Sequence, residues 1–541
     1  MQGRTVIVGS GVAAASLAQA ILNKDPNAQL LLLEAGVKVK TKDFGLWEHY
    51  LVTGQLPYDK YKDMQYPQND LPGENMSVGS TDVPLSGARV IAYGGSTLHW
   101  GGWAFRMKPE DFHLFSYTRQ GADWPFDYEH LEPYYCQAEE YLGISGDSED
   151  QTVTRSRSYP FPAFPYTLED RLIADAMSAV GVTYGHMPIA RHGVTDTTSK
   201  HAPCQTTGTC KYCPFGARYA ATNFLNDMLD WNDYPHFEVR TGVVVKQVRM
   251  ASKTRAVGVI AEVREDSGIR IEFIEADRVV VAAGAIESSK LLERSVSEFW
   301  PRGIGNDQDQ LGRNFIVHPY FIFKGELSAN PYSLQKEMDF PTLVSRYYDN
   351  REEQCSGKFI LVNPPDTIDP KLVQQMRDGK RRSDLDEALA GPQTVSLAGM
   401  VEVFGRPWNR ISNKPGDHPK DLTRMRLQHT IVDYKKDDDF DAHIEKVGRA
   451  VRRIFDAMRA TLSVDKPSIS WRADHAASTC RMGLSPEVSV VDPNLQVHGV
   501  DNLYVCSNAV FPSLGAVNPT LTLTALALRL GDHLCGQQEA I

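Results

Sequence analysis

The sequence predicts an α/β protein: a discontinuous Rossmann-like domain carrying an inserted α+β domain built on an antiparallel sheet. Near the start of the chain, a glycine-rich turn joins an apolar strand to an Ala/Leu-rich helix and a second apolar strand, the order that a dinucleotide-binding βαβ unit requires. Glycines and short apolar runs return after Thr479. The intervening segments alternate valines and aromatic residues, a pattern typical of antiparallel strands.

The order of these segments fits one domain interrupted by another better than a row of separate domains. We place residues 1–115, 200–318 and 466–541 in the discontinuous domain, and residues 116–199 and 319–465 in the inserted one. The chain has 541 residues, of which 42% are hydrophobic and 23% charged. These proportions are typical of globular proteins with a large core.

The charge balance narrows the classes of partner. A net charge of −11 disfavours nucleic-acid binding, which needs a basic surface. The sequence contains no apolar run long enough to span a bilayer. The first residues enter a strand almost at once, without the pattern of a signal peptide. We therefore expect a cytoplasmic protein, or a periplasmic one if a signal-bearing partner exports it.

The first glycine turn predicts a pyrophosphate site. Gly9-x-Gly11-x-x-Ala14 follows the strand Thr5–Val8: Gly9 allows the tight turn, Gly11 lets the backbone approach an anion, and Ala14 packs close to the strand. Val12 and Ala13 open the helix, whose N-terminal N–H groups attract that anion. Glu34 ends the second strand, where a carboxylate accepts hydrogen bonds from ribose hydroxyls.

A second glycine-rich segment runs from Arg89 to Arg106. Its glycines and hydroxyls suit a backbone that wraps a further phosphate and a flat ring, and an ordinary loop would not need a His-Trp pair inside it. The candidate contacts in this segment are Arg89, Gly94, Gly95, Ser96, His99, Trp100, Gly101 and Gly102.

With these motifs in order, the chain resembles the glucose–methanol–choline (GMC) oxidoreductases over nearly its whole length. Other motifs that carry the resemblance are Val279 to Leu292, Leu311 to Asn314 with His318, and the region from His475 onward. The resemblance implies FAD as cofactor, with its pyrophosphate near Gly94 to Ser96. It also implies cofactor contacts from Val245 (by its backbone, to adenine), Ala283, Gly284, Asn508, Ala509, Asn518, Pro519 and Thr520.

The segment around His99 looks like those of pyranose oxidases and bacterial sugar dehydrogenases. Some of these relatives attach FAD covalently through the histidine that matches His99, and a non-covalent contact is equally compatible with the sequence.

The family resemblance also implies a catalytic pair, His475 and Asn518. Moving hydride from an alcohol carbon to flavin N5 leaves a proton on the oxygen, and a histidine with a pKa near neutrality is the usual base. Asn518 can orient the same hydroxyl. We therefore expect oxidation of a secondary ring hydroxyl (C3 or C2) of a sugar or glycoside to a keto-sugar. The alternatives are a non-sugar alcohol, an electron-transfer subunit, or a Rossmann protein that uses NAD.

A cysteine cluster bears on where the electrons go. Cys204, Cys210 and Cys213 have the spacing C-x5-C-x2-C-P, and three thiolates could hold a 3Fe–4S cluster. Large subunits of some related sugar dehydrogenases carry such a cluster and pass electrons to a cytochrome, although the last spacing here is one residue shorter. A small subunit and a cytochrome would then be partners. The alternatives are a disulfide with one free thiol, which allows an oxidase, or zinc with His201 as fourth ligand.

Overall fold

The computed structural model describes residues 3–38, 75–85, 88–194, 202–205, 213, 215–230, 233–265, 268–327, 340–350, 358–364, 375–376, 378–390, 392–414, 429–464 and 466–536. Its α-helices are α1 (Val12–Lys24), α2 (Leu114–Thr118), α3 (Tyr128–Leu142), α4 (Leu168–Ala179), α5 (Ala221–Asp230), α6 (Gly284–Arg294), α7 (Arg382–Ala390), α8 (Phe440–Met458) and α9 (Thr520–Leu534). Short 3₁₀ helices span Gly95–Leu98, Pro109–Asp111 and Asn508–Val510.

The strands up to the start of the inserted sheet are β1 (Thr5–Val8), β2 (Leu30–Glu34), β3 (Asn75–Ser77), β4 (Ile144–Gly146), β5 (Phe161–Pro162), β6 (Gly185–His186), β7 (Ile189–Ala190), β8 (Phe237–Thr241), β9 (Val243–Met250), β10 (Ala256–Glu265), β11 (Gly268–Glu275) and β12 (Arg278–Val281). The remaining strands are β13 (Ile316–Leu327), β14 (Leu343–Ser345), β15 (Leu361–Val362), β16 (Gln393–Met400), β17 (Arg410–Asn413), β18 (Thr430–Asp433), β19 (Ala460–Leu462), β20 (Ser468–Ala477) and β21 (Leu503–Val505).

A five-stranded parallel sheet forms the Rossmann-like domain and confirms that part of the fold prediction. Its strand order is β21-β12-β1-β2-β8, and every pair in it is parallel. Three of its strands, β1, β2 and β12, are nearly continuous apolar runs because helices or other strands cover both faces of a buried parallel sheet. Strands from the beginning, middle and end of the sequence meet here, so the domain is discontinuous as predicted.

Helices α1 and α9 pack against each other beside this sheet. The contact is close: a Cβ on Gly531 would lie 2.5 Å from the Cβ of Ala20. Since α9 follows directly after the Asn518 segment, this packing ties the end of the chain to the first glycine turn. Strands β9, β10 and β11 form a separate antiparallel meander.

The inserted domain is built on an antiparallel sheet, also as predicted. Its order is β19-β13-β16-β15-β14-β6, and β20 pairs with β13 on the same edge as β19, at the opposite end of that strand. Helix α8 covers one face: the apolar stripe on that helix is buried, and a Cβ on Gly325 of β13 would lie 2.5 Å from the ring of Phe455. The β20 segment falls within the predicted 466–541 range yet pairs with this sheet, and the exact domain boundaries stay predictions.

The pairing of β13 with β20 is irregular at one point. Ile316 lies opposite Ala477, but His318, two residues further, lies opposite Arg472. The extra residues of β20 therefore bulge out of the ladder, and such bulges re-aim side chains next to active sites. His475 lies within this bulge. None of the helices in the described part of the chain is long and apolar enough to cross a membrane.

Candidate active site

The first glycine turn has the geometry of an anion cradle. Gly9 has φ +112°, and a Cβ there would lie 2.5 Å from the carbonyl oxygen of Ala282, so only glycine fits. Gly11 is the N-cap of α1, and a Cβ on it would meet no protein atom within 4 Å. That open space lies at the helix N-terminus, before Val12 and Ala13, where the N–H groups and the dipole attract a pyrophosphate.

Ser10 connects this turn to the other predicted cofactor residues. Its hydroxyl donates to Glu34 Oε2 at 2.6 Å, and it accepts from the backbone N–H of Gly94 at 3.0 Å. Glu34 is buried, and burial raises the pKa of its carboxyl, while Ser10 and the Gly36 N–H oppose that rise. Ser10 was not singled out from the sequence because the x position of a glycine motif carries no pattern of its own.

The second glycine segment lies against the first. Gly94 has φ +102°, and a Cβ on Gly95 would lie 3.2 Å from the Cα of Gly11. Beyond them, the guanidinium of Arg218 donates to the carbonyl of Leu98 at 2.9 Å and also to that of Trp100. The two glycine segments and this clamp form one continuous cradle, lined also by the partly exposed His99 and the exposed Ser96 and Gly101.

Other predicted cofactor contacts have protein partners. Arg89 forms an ion pair with Glu287 of α6 at 2.6 Å, and the carbonyl of Val245 accepts from Arg294 at 3.0 Å. These contacts attach α6 to the second glycine segment and to β9. Ala283 and Gly284 lie at the start of α6, Gly102 is buried in its turn, Asn508 and Ala509 lie in a 3₁₀ turn, and Pro519 and Thr520 begin α9.

The predicted catalytic pair is assembled. Asn518 Nδ2 lies 3.1 Å from His475 Nε2. On its other side, His475 Nδ1 lies 3.0 Å from Nδ1 of His318, and His318 Nε2 lies 2.9 Å from the carbonyl oxygen of Gly515. His318 is buried, while His475 keeps part of its surface open.

The partners determine where the protons lie on both rings. The Gly515 carbonyl can only accept, so His318 Nε2 carries a hydrogen. Burial keeps His318 neutral, so its Nδ1 is an acceptor and His475 Nδ1 must donate to it. A neutral His475 then has a bare Nε2, which accepts from the amide of Asn518. The lone pair of a base is thus presented beside Asn518.

Burial also sets the charge of these rings. It lowers the pKa of His475 to about 3, with a further contribution from the charge of Arg472. Burial likewise lowers the pKa of His318 to about 3, with His475 adding to the effect. Both pKa values are lowered from the near-neutral value that is usual for a histidine base, because removing the imidazolium from water costs more than the surrounding groups return. Both histidines are neutral across the physiological pH range.

Asn508 and Asn518 share an unusual feature. The Oδ1 atom of each is buried and, within the described residues, has no hydrogen-bond partner. Leaving a buried amide oxygen unsatisfied is costly, so both oxygens are suited to accept from a bound group. Their positions in the flavin motifs fit FAD.

The cysteine cluster is only partly visible: Cys210 and His201 lie outside the described residues. Cys204 and Cys213 have intermediate exposure, and Arg191 donates to Cys204 Sγ at 3.1 Å. Within the part of the chain that the structure describes, no three metal-ligating side chains gather into a site. The described residues therefore do not by themselves make a metal site.

The two glycines of the first turn make a matched test of the cradle. Gly11→Ala adds a Cβ in open space, so the protein should keep its thermal stability but bind FAD roughly tenfold or more weakly, because hydrogen bonds to a charged phosphate are worth about 1.5–3 kcal/mol. Gly9→Ala should instead lower the melting temperature. Flavin content and thermal melts of both variants check this, and normal flavin affinity in Gly11→Ala would show that the cradle is misplaced.

The chain is similar to known proteins over most of its length. Two GMC oxidoreductase family models match, the N-terminal one at residues 177–320 and the C-terminal one at residues 412–527. The chain is 25% identical to the fructose dehydrogenase large subunit of Gluconobacter japonicus, covering 98% of this chain and 97% of that protein. It is also 25% identical to the C-glycoside 3-oxidase of Microbacterium trichothecenolyticum, covering 83% and 76%.

A third relative is the 6'''-hydroxyparomomycin C oxidase of Streptomyces lividus, 26% identical over 83% of this chain and 80% of that protein. Among solved structures, pyridoxine 4-oxidase from Mesorbium loti superposes with a TM-score of 0.61 at 17% identity, over 99% of this chain and 100% of that one. Formate oxidase from Aspergillus oryzae, a structure described for its FAD modification, gives 0.64 at 14% identity, over 99% and 98%. With the cradle and the His–Asn pair in place, these matches show that the chain belongs to the GMC oxidoreductases, FAD-dependent enzymes that act on CH–OH groups.

Proposed function

We propose that the protein oxidises a secondary ring hydroxyl (C3 or C2) of a sugar or glycoside to a keto-sugar, with His475 as the base. The observation that carries the proposal is the ordered chain from Gly515 through His318 and His475 to Asn518. The names of relatives, fructose dehydrogenase and C-glycoside 3-oxidase among them, support a sugar substrate.

The residues of the chain account for the proton in this reaction. FAD, when bound, supplies the hydride acceptor. His475 Nε2 and Asn518 Nδ2 are 3.1 Å apart. A hydroxyl oxygen that forms a triangle with these two nitrogens therefore lies within hydrogen-bond distance of both. The hydroxyl replaces the Asn518 amide as the donor to Nε2, and that amide donates instead to the hydroxyl oxygen, which develops negative charge as the hydrogen leaves.

His318 acts through His475 as a positioning residue. Once Nε2 has taken the proton, the His475 ring is a cation that donates from Nδ1 to His318. His318 can accept because its own hydrogen is held on Nε2 by Gly515. Because His318 Nδ1 must accept from His475 Nδ1, the neutral His475 ring carries its hydrogen on Nδ1. A hydrogen on Nε2 would prevent that nitrogen from accepting a proton.

Replacing the base tests the proposal directly. His475→Ala should retain FAD but slow flavin reduction by sugar about 10²- to 10⁴-fold, the usual contribution of a general base. The measurement is anaerobic bleaching of the flavin in a stopped-flow instrument, with His113→Ala, at a partly exposed histidine on another element, as control. A normal rate of flavin reduction in His475→Ala would contradict the assignment of His475 as the base. If only non-sugar alcohols reduce the flavin of the unsubstituted protein, the role of His475 stands and the sugar substrate is overturned.

The positioning role of His318 has its own test. His318→Leu removes the acceptor for His475 Nδ1 and should lower kcat roughly 10²-fold with a small change in KM. A glutamine can accept with Oε1 and donate with Nε2, so His318→Gln should recover much of the loss. Equal losses in both variants, at equal flavin content and thermal stability, would reduce His318 to a packing residue.

We further propose that Cys204, Cys210 and Cys213 hold a 3Fe–4S cluster, which would pass electrons to a small subunit or a cytochrome. The Arg191 guanidinium donates to Cys204 Sγ, and the backbone of Arg191 forms a β-bridge with that of Arg218, whose guanidinium donates to the carbonyl of Trp100. Cys204 is thus linked through two arginines to the second glycine-rich segment. If the cluster is present, we propose that the protein is exported together with a signal-bearing partner. If it is absent, we expect a cytoplasmic oxidase.

Metal analysis decides between a protein that holds an iron–sulfur cluster and an oxidase without one. The protein purified without oxygen should contain iron and acid-labile sulfide, and Cys213→Ser should lose both while keeping FAD and flavin reduction. An iron-free preparation that turns over rapidly with oxygen would overturn the cluster and identify an oxidase. Zinc in place of iron would support the alternative site with His201.

A further inference from the structure

One face of the antiparallel sheet packs against α8, and the opposite face bears His318 of the candidate site. Directly opposed residues of two paired strands point to the same face, so Arg472 shares a face with His318, and Ser470 with Tyr320. His318 on this face contacts His475, whereas Trp471, on the other face, packs against Phe440 of α8. Side chains that follow His318 along this face therefore extend from the catalytic pair toward solvent.

Arg472 is held in a defined position on this face. Its side chain forms an ion pair with Asp474, and its guanidinium lies over the ring of Tyr320, 5.8 Å from the centroid. It still exposes 51% of its side-chain surface, and Tyr320 is partly exposed as well. The guanidinium thus has donors left for a ligand while two neighbours limit its motion.

The charge of Arg472 acts at the catalytic base. Among the described residues, His318 on β13 contacts His475, and Arg472, paired with Asp474, precedes it on β20. After burial, the positive charge of Arg472 is the cause that lowers the pKa of His475. A substrate bound to His475 and Asn518 lies in the same positive field, since it occupies the space beside that ring.

We propose that Arg472 is a specificity-determining residue that binds the part of the sugar remote from the reacting hydroxyl, and that it selects neutral and acidic sugars over amino sugars. The proposal rests on the sugar-oxidising function above and names its substrate class. Guanidinium donors bind hydroxyls and pair with carboxylates in a fork, but they repel an ammonium group. Asp474 moderates the effect because it neutralises part of the charge.

Sugar binding beside the bound flavin can be measured separately from turnover. D-glucose, D-glucosamine and D-glucuronate are three probes of similar shape and different charge, and each can be titrated against the flavin spectrum in the His475→Ala enzyme, where reduction is slow. We expect glucosamine to bind at least roughly tenfold more weakly than glucuronate, the scale of a hydrogen bond to a charged group. The same order is expected in kcat/KM of the enzyme with His475 intact.

The variants isolate the residue. Arg472→Gln should bring the glucosamine and glucuronate affinities to within about twofold of each other, and Asp474→Asn should widen the gap. Lys324→Gln removes a positive charge from the same face of β13 but six residues from His318, about 20 Å along a strand, and should match the unsubstituted protein. In the enzyme with His475 intact, Arg472→Gln should also raise the pKa seen in the rate of flavin reduction, because it removes a charge that opposes protonation of His475.

The outcomes separate this proposal from the function. If sugars reduce the flavin but Arg472→Gln leaves the affinity ratio unchanged, or glucosamine binds as well as glucuronate, the role of Arg472 is overturned. If none of the probes binds, the substrate class is overturned too. If the probes bind with the expected ratio but no sugar reduces the flavin, the recognition by Arg472 stands and the proposed reaction fails.

Discussion

The contact between His318 and His475 is the constraint on which the active site depends. It joins two antiparallel strands at the point where their register slips, and the slip exists because β20 carries extra residues opposite Ile316–His318. An unbroken ladder would leave His475 in a regular alternation with its neighbours. The bulge instead brings the ring against His318, and the Gly515 carbonyl behind His318 then sets the hydrogens on both rings. Backbone geometry thus determines which nitrogen of His475 carries no hydrogen and is available to accept one.

The site also depends on the meeting of the two domains. The antiparallel sheet supplies His318 and His475, and the segment before α9 supplies Gly515 and Asn518. Helix α9 packs on α1, whose N-terminus forms the first glycine cradle. A shift of α9 would therefore move Asn518 relative to the base and relative to the cofactor cradle together. This coupling brings residues that are far apart in sequence into one site.

The sequence was sufficient for the architecture, and the site residues that it predicted stay predictions whose side chains the fold brings together. Gly9 and Gly11 predicted the cradle because each has a distinct steric requirement, and the His475 and Asn518 motifs predicted the pair that the structure assembles. Ser10 could not be predicted because the x positions of a glycine motif carry no pattern of their own. Arg472 and the positioning role of His318 could not be predicted because they follow from strand register and from a bulge, which leave no periodic pattern. The pKa of His475 was also missed, since burial is a property of the folded site. Arg89 and Val245 were expected to contact cofactor, and their protein partners, Glu287 and Arg294, lie about 200 and 50 residues away.

The central claim is that His475 rests as a neutral ring with its hydrogen on Nδ1 and a bare Nε2. Nitrogen NMR of the protein labelled at its histidine rings measures this directly, with His475→Ala and His318→Gln used to assign the signals. We predict that His475 shows a protonated Nδ1 and an unprotonated Nε2, that His318 shows the opposite arrangement, and that neither signal changes between pH 8 and about pH 5, well above the lowered pKa values. A His475 ring protonated on Nε2, or one that titrates near its ordinary pKa, would contradict the account.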